Sequence, residues 1–229
     1  MEKNQYDLCL EVLRRLDRNG ILNKIILIGS WCLPFYEHFF RGIKYQPAIK
    51  TRDIDFLFPR PSAIKLQADI PSLLKDLGFI VGFKGSKGDM VLQHPDLIVE
   101  FLVIERGKGH DHPVPLPGLG VNATALRYLS FLTMNTIGVE VDNFTVRLPH
   151  PANFALHKLI VAQKRRNPEK REKDMDAALN IIHALVAKGE NATLQRSFNS
   201  VPDKWQTLII KGLKMGNENG IIEILRKNS

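Results

Sequence analysis

A short apolar strand that ends in glycine and serine places the strongest limit on how this chain can fold. Residues 25–28 are all isoleucine or leucine, and they run into Gly29-Ser30 and then Trp31, where we expect a helix to begin. Such a turn can hold a phosphate group, because small residues let the backbone approach an anion and a helix N-terminus presents unpaired N–H groups. The segment therefore predicts an α/β arrangement with an anion site at this turn.

A second predicted strand, over residues 52–58, carries two acidic residues on one face. Side chains two residues apart on a strand point to the same side, so Asp53 and Asp55 project together, roughly 6.5 Å apart along the strand. Two neighbouring carboxylates repel each other unless a cation lies between them. Mg²⁺ fits this position, because it takes oxygen ligands from one or two carboxylates and completes its shell with water and substrate phosphates.

The apolar segment 97–104 contains one acidic residue, Glu100. A carboxylate in the middle of such a strand is costly to bury unless it is paired or bound to a metal ion. We therefore predict that Glu100 is a third carboxylate of the same site. The alternative is an isolated glutamate on an exposed face of the strand.

The remaining pattern predicts two domains, residues 1–150 and residues 151–229. In the first domain, the further predicted elements are helices over 5–19, 31–40 and 64–77 and strands over 79–81, 90–93, 126–136 and 143–148. Residues 84–88 have the composition of a phosphate loop without its spacing, and we interpret them as a hairpin turn. In the second domain we expect helices alone, one beginning at the cap Asn167-Pro168 and two more over about 191–199 and 203–226.

Composition narrows the class of protein further. With 229 residues, of which 44% are hydrophobic, the chain can bury a substantial core. It has no apolar run of membrane-spanning length and no signal-peptide pattern, so we expect a cytoplasmic protein with no membrane partner. Cys9 and Cys32 lie in apolar contexts, which indicates buried thiols rather than a disulfide framework or a zinc cluster. The formal net charge of +8 favours an anionic partner.

Gly29-Ser30 after an apolar strand, followed by Asp53-Ile54-Asp55 in a second strand, resembles the signature of the polymerase-β-like nucleotidyltransferase superfamily. Thr51, two residues ahead of Asp53, and a basic helix containing Lys173-Asp174 resemble most the minimal prokaryotic branch. That branch includes the toxin halves of abortive-infection toxin–antitoxin pairs. The resemblance extends loosely from Ile25 to Asp174. Twenty-two residues separate Ser30 from Asp53, a longer loop than the usual pattern has.

The resemblance implies an α/β (α+β) nucleotidyltransferase fold with a mixed, largely antiparallel sheet flanked by helices, plus a helical C-terminal domain. It implies that Asp53, Asp55 and Glu100 hold one or two Mg²⁺ ions, with Mn²⁺ as an alternative, and that Glu100 also activates the acceptor hydroxyl. The residues to which it assigns nucleotide contacts are Gly29, Ser30, Thr51, Arg52 and Lys158. It also implies that Asp174 completes the site by orienting Lys158 or the acceptor hydroxyl.

The implied reaction moves an NMP from an NTP, such as ATP, to a hydroxyl acceptor and releases pyrophosphate. An RNA or tRNA 3′ end, a protein hydroxyl and a small molecule such as an aminoglycoside all stay open as acceptors. A cognate antitoxin is a further predicted partner. Seven lysines and arginines between Lys158 and Lys173 favour contact with an RNA backbone, although a solvated helix surface explains part of such a run.

Two other functions are compatible with the sequence. A catalytically silent nucleotidyltransferase fold could serve as a binding module for RNA or a partner protein, but such a copy has no physical reason to keep a repulsive carboxylate pair beside Ser30. A metal-dependent phosphohydrolase would need a tighter histidine cluster than His94, His110 and His112 provide. We interpret the segment around His110 and His112 as a surface loop.

Overall fold

A computed structural model describes residues 3–45, 47, 51–107, 109 and 112–227. The chain divides into two compact units. The first consists of Met1–Phe35 and Ala48–Pro149, and the second of Tyr36–Pro47 and His150–Ser229. The second unit thus takes in a short segment that precedes the Asp53 strand in sequence. The histidine segment discussed above lies partly outside the described residues, because His110 and Asp111 are not among them.

A mixed sheet forms the core of the first unit. The strands of this unit are β1 (Ile26–Ile28), β2 (Asp53–Phe58), β3 (Ile80–Lys84), β4 (Asp89–Gln93), β5 (Ile98–Ile104), β6 (Val114–Leu116), β7 (Val121–Leu126), β8 (Thr136–Val141) and β9 (Phe144–Pro149). The spatial order is β1-β2-β5-β4-β3, with β7 also pairing with β5 and with β6. The pairs β2–β5 and β5–β7 are parallel, and the other pairs in the described residues are antiparallel.

The two faces of this sheet differ in chemistry. Phe56, Phe58 and Phe101 are buried on one face, where their rings contact one another at centroid distances of 6.1 and 5.8 Å. On the other face, Leu57 and Leu102 belong to a buried apolar cluster. The acidic residues of β2 and β5 also point to this second face, but from the amino-terminal half of each strand. The alternation of residues along β2 therefore follows the predicted pattern.

Helices make up the rest of the regular structure. In the described residues they are α1 (Lys3–Arg18), α2 (Cys32–Phe39), α3 (Ile70–Leu74), α4 (Ser130–Met134), α5 (Pro151–Ala162), α6 (Pro168–Ala187), α7 (Asn191–Asn199), α8 (Asp203–Met215) and α9 (Asn219–Arg226). The predicted cap of α6 is confirmed, because the Asn167 side chain accepts a hydrogen bond from the Lys170 N–H at 3.0 Å. None of the helices in the described part of the chain combines the length and the apolar character that crossing a membrane requires.

The predicted helix over 64–77 is wrong for its first half. The helix α3 covers only Ile70–Leu74 and continues as a 3-10 turn over Lys75–Leu77. Pro71 fits the first turn of a helix but lacks the N–H that a longer helix would need there, so the helix begins close to it. The preceding residues bond elsewhere, since the Ala68 N–H donates to the Gly118 carbonyl at 2.7 Å. A contact distant in sequence therefore replaces the local pattern.

The predicted strand over 126–136 is also wrong. Its first residue ends β7, Tyr128 adopts a positive φ of 70°, and α4 then buries Phe131 and Leu132. Short apolar runs do not distinguish a strand from a buried helix. The predicted strand over 143–148 is confirmed as β9, but it pairs with β8 in a separate two-stranded sheet. The single helix predicted over 203–226 is divided into α8 and α9 at Asn217, whose φ is 58°.

The fold class that the sequence predicts is confirmed: the chain is a mixed α+β protein with a mixed sheet, flanking helices and a C-terminal helical region. Cys9 and Cys32 are both buried thiols, as predicted. Burial raises the pKa of the Cys9 thiol far above its ordinary value, so this thiol stays protonated and unreactive.

Candidate active site

Three predicted carboxylates lie on one face of the sheet in the first unit. Because β2 and β5 are parallel, Asp55 lies directly opposite Glu100 in the register, and Asp53 lies two residues before Asp55 on the same face. The Asp53 side chain is 47% exposed and the Glu100 side chain is 22% exposed. Solvent therefore reaches these acids, and a charged ligand can approach them without crossing the core.

The Lys84 side chain reaches the same face from the end of β3. The alternating register runs from Gly82 through Val91 to Glu100, and Lys84 stands two residues beyond Gly82 on the same side. Its ammonium donates a hydrogen bond to Glu100 Oε1 and lies 3.5 Å from Asp53 Oδ1. Burial by itself would lower the pKa of Lys84, but the hydrogen bond and charge of Glu100, with the charge of Asp53, hold it above its ordinary value.

The Gly29-Ser30 turn closes directly against this acidic face. Ile28, the last residue of β1, lies opposite Asp55 in the antiparallel register. Gly29 then adopts a φ of +72°, and a Cβ atom at this position would overlap Asp55 Oδ2. A 3-10 turn over Gly29–Trp31 leads into α2. Glycine is needed here twice, for the left-handed backbone and for the close approach of the carboxylate.

Thr51 and Arg52 stand at the entrance of β2. Thr51 Oγ1 accepts a hydrogen bond from the Asp53 N–H at 3.2 Å, and the Thr51 carbonyl accepts one from Gln5 Nε2 at 3.2 Å. These bonds hold the beginning of the acidic strand. Neighbouring residues of an extended chain point to opposite sides, and the Arg52 guanidinium accordingly donates to the His94 carbonyl at 2.8 Å.

The donor atoms of this face suit a hard divalent cation. In the described part of the chain, no group of three or more His, Cys, Asp or Glu side chains is close enough together to hold a metal ion. Mg²⁺ does not need such a group, since one or two carboxylates plus water and substrate phosphates satisfy it. Asp53 and Glu100 already share one cation, the Lys84 ammonium. His94 is engaged elsewhere, where its Nδ1 accepts a bond from the Asp96 N–H at 3.1 Å.

The other two predicted site residues, Lys158 and Asp174, belong to the second unit and bind each other there. Lys158 Nζ on α5 lies 2.6 Å from Asp174 Oδ1 on α6, and Arg165 Nε lies 2.8 Å from Asp174 Oδ2. Asp174 is only 4% exposed. Burial by itself would raise the pKa of Asp174, but the Lys158 ammonium and the Arg165 guanidinium outweigh it and hold the pKa below its ordinary value.

A buried histidine adjoins this ion cluster. His157 is buried next to Lys158, and its Nε2 has no hydrogen-bond partner among the described residues. Burial, and then the nearby Lys158 charge, lower the pKa of His157 to about 3. The imidazole is therefore neutral at physiological pH, and its cost to the fold is an unsatisfied ring nitrogen.

Sequence reasoning missed Lys84 and Arg165. Lys84 was interpreted as part of a hairpin turn, which is confirmed by the antiparallel pairing of β3 and β4. Its role depends on the pairing of β4 with β5, which no local pattern reveals. Arg165 is one of seven cations between Lys158 and Lys173, and nothing in the local sequence distinguishes it from its neighbours Lys164 and Arg166.

A sequence model described as Nucleotidyltransferase matches residues 8–203 of the chain. The chain belongs to this nucleotidyltransferase family. The resemblance to the nucleotidyltransferase superfamily is thereby confirmed, and so is the prediction of an enzyme of the EC 2.7.7 type. A comparison with curated protein sequences found no match.

Solved structures of low sequence identity resemble this nucleotidyltransferase. An antigenic nucleotidyltransferase-like protein from Paracoccidioides brasiliensis is 13% identical, with a TM-score of 0.52 over 99% of this chain and 94% of that chain. ANT(2″)-Ia in complex with adenylyl-2″-tobramycin is 14% identical, with a TM-score of 0.47 over 93% and 99% of the two chains. The first of these likenesses supports the fold.

Proposed function

We propose that the protein is a Mg²⁺-dependent enzyme that moves an NMP from an NTP to a hydroxyl acceptor and releases pyrophosphate. One observation carries the proposal: the Gly29-Ser30 turn closes on Asp55, and Asp55 shares its sheet face with Asp53 and Glu100. A turn that can hold phosphate oxygens therefore adjoins carboxylates that can hold a cation. Transfer of a nucleotidyl group needs both features together.

Each residue of this face has a role in the proposed reaction. The backbone of Gly29 and the hydroxyl of Ser30 would bind oxygens of the β- and γ-phosphates. Asp53, Asp55 and Glu100 would between them hold one or two Mg²⁺ ions, or Mn²⁺ in their place, with one or two carboxylates to each ion. When bound, the metal ion would neutralise charge on the attacking and leaving oxygens at the α-phosphorus. Glu100 would also accept the proton of the attacking hydroxyl.

Several finer points of this function stay predictions. One is that Lys158, Thr51 and Arg52 bind the nucleotide. Another is that Asp174 orients Lys158, which the 2.6 Å contact between their side chains supports. ATP as the preferred nucleotide, RNA or protein as the acceptor, a cognate antitoxin and membership of the toxin-type branch are further predictions. A helix surface with many cations supports RNA more than a neutral acceptor.

The test is transfer of label from nucleotide to acceptor. The purified protein is incubated with each of four α-³²P-labelled NTPs, MgCl₂, and total RNA, protein extract or an aminoglycoside. We expect label to enter one acceptor class together with an equal amount of released pyrophosphate. The control is the variant Asp53→Asn/Asp55→Asn, which changes charge with little change in volume and is expected to transfer nothing.

Two results would contradict the proposal. One is transfer by the double variant at the rate of the wild type, because the carboxylates would then have no part in the reaction. The other is release of inorganic phosphate without pyrophosphate, which would indicate a phosphohydrolase.

A further inference from the structure

The Lys84 ammonium lies where a cation bound by Asp53 and Glu100 would lie. It donates to Glu100 Oε1 and is 3.5 Å from Asp53 Oδ1, so it bridges acids from two adjacent strands. Asp55 is opposite Glu100 in the register and adds a third carboxylate to the same face. The Lys84 charge thus offsets part of the mutual repulsion of Asp53 and Glu100.

An ammonium and a divalent cation compete for these oxygens. Mg²⁺ binds carboxylate oxygens at about 2.0–2.1 Å, and an ammonium in contact with the same two carboxylates excludes an ion bridging them. Binding of metal therefore requires the Lys84 ammonium to leave. An ammonium with one positive charge is then replaced by a metal ion with two. The metal ion is favoured most when a nucleotide phosphate adds further negative charge to the site.

The structure allows Lys84 to leave while its hairpin stays in place. The Lys84 side chain is 41% exposed, and its ammonium is carried on a flexible four-carbon stem, so the ammonium can turn towards solvent. The hairpin backbone is held independently of it. Asn122 Nδ2 donates to the Gly88 carbonyl at 3.0 Å, and Asn122 Oδ1 accepts from the Met90 N–H at 2.8 Å.

We propose that Lys84 is a displaceable counter-ion of the acidic site. Without metal, its ammonium offsets part of the repulsion between Asp53 and Glu100. Metal entry displaces it, so the intrinsic affinity of the protein for a free divalent ion is lowered and loading is coupled to the nucleotide. This inference rests on the proposed metal-dependent function, which it deepens by naming a residue that controls metal binding.

The first test measures Mn²⁺ binding without nucleotide, by the loss of the electron paramagnetic resonance signal of free Mn²⁺. Lys84→Met keeps the length of the stem and removes the charge. We expect it to bind Mn²⁺ about two- to fivefold more tightly than the wild type, the factor that corresponds to a partly exposed ion pair. Lys87→Met is the matched control, because Lys87 is an exposed lysine of the same hairpin turn, and it should bind as the wild type does. Lys84→Arg retains the charge and should not gain affinity.

The second test measures thermal unfolding in EDTA and in MgCl₂. In EDTA, Lys84→Met should unfold at a lower temperature than the wild type, because Asp53 and Glu100 then lack the ammonium that bridges them. MgCl₂ should restore most of this difference. A residue that only packs against the sheet would give a loss that Mg²⁺ does not restore. Lys84→Gln serves in both tests if Lys84→Met does not fold.

The results separate this inference from the proposed function. If the wild type binds Mn²⁺ and the uncharged Lys84 variants bind it equally or more weakly, the inference is overturned and the metal-dependent function stands. If neither the wild type nor these variants bind Mn²⁺ without nucleotide, the inference is overturned, and the label-transfer assay alone decides the proposed function. Tight binding that appears when Lys84 is replaced and disappears when Asp53→Asn is added supports the inference.

Discussion

Replacing Gly29 by alanine would place a methyl group where the Asp55 carboxylate lies. Gly29 has a φ of +72°, and its added Cβ would overlap Asp55 Oδ2. Gly107 provides a matched control in the same unit. Its φ is +67°, but a Cβ added there meets nothing within 4 Å among the described residues. The two substitutions therefore share the backbone strain and differ in the contact with Asp55.

The expected loss of stability has two contributions, the backbone strain and the overlap with Asp55. A left-handed backbone costs an alanine about 1–2 kcal/mol, and this cost applies to Gly107→Ala and Gly29→Ala alike. The overlap adds about 1–3 kcal/mol in Gly29→Ala if Asp55 stays in place. If Asp55 rotates away instead, that cost in stability falls, but a displacement of about 1 Å in a reacting constellation costs about 100-fold in rate.

The assay combines urea denaturation with the rate of pyrophosphate release. Gly29→Ala should lose about 100-fold in kcat/KM, whereas Gly107→Ala should stay within about twofold of the wild type, because its strain lies away from any predicted site residue. Equal activity of the two alanine variants would refute the reasoning, since the contact between Gly29 and Asp55 would then have no catalytic consequence.

Three further predictions concern stability. Asp174→Asn should lower the free energy of unfolding in urea by about 2–4 kcal/mol at pH 7, because the Lys158 ammonium, whose side chain is 13% exposed, loses its carboxylate partner. Asp176 is exposed on the same helix, and Asp176→Asn should change the free energy of unfolding by less than about 0.5 kcal/mol. Equal effects of the two substitutions would contradict a stabilising role of the Lys158–Asp174 ion pair. His157 has a depressed pKa in the folded state, so as the pH falls from 6.5 towards 3 the unfolded state takes up a proton that the folded state does not, and the free energy of unfolding falls. At pH 4.5, His157→Leu should remove about 3 kcal/mol of this acid destabilisation in urea unfolding, and a variant that loses as much stability between pH 7 and 4.5 as the wild type would contradict it. Asn122→Ala should cost about 1–2 kcal/mol, as each of its two hairpin bonds contributes modestly, and faster amide hydrogen exchange at Met90 should accompany the loss.

Local signals in the sequence predicted much of the fold. The strand β1 is apolar at every position, the helix predicted over 5–19 is present as α1, and Asn167-Pro168 begins α6. Each signal depends on residues within one turn or one strand, so no knowledge of the tertiary structure was needed. The predictions for segments 64–69 and 126–136 were wrong. The first segment bonds to a residue distant in sequence, and the second is a short apolar run whose pattern does not distinguish a strand from a buried helix.

The acidic residues of the candidate site were predictable from the sequence, but the contacts that complete the site were not. The common face of Asp53 and Asp55 followed from the alternation of a strand, and the cost of burying an acid singled out Glu100. The contact of Lys84 with Glu100 could not be predicted, because it requires β3, β4 and β5 to be adjacent in the right register. The place of Gly29 beside Asp55 likewise required the pairing of β1 with β2.

The most direct test of the central claim is which phosphorus atom of the nucleotide is attacked. The wild type is supplied with MgCl₂, the preferred acceptor and one NTP labelled at either the α- or the γ-phosphorus. Attack at the α-phosphorus predicts that the α-label appears in the acceptor and the γ-label appears in pyrophosphate, both at rates that fall together in Asp53→Asn. The γ-label in the acceptor or in inorganic phosphate, with no α-label transferred, would contradict the account.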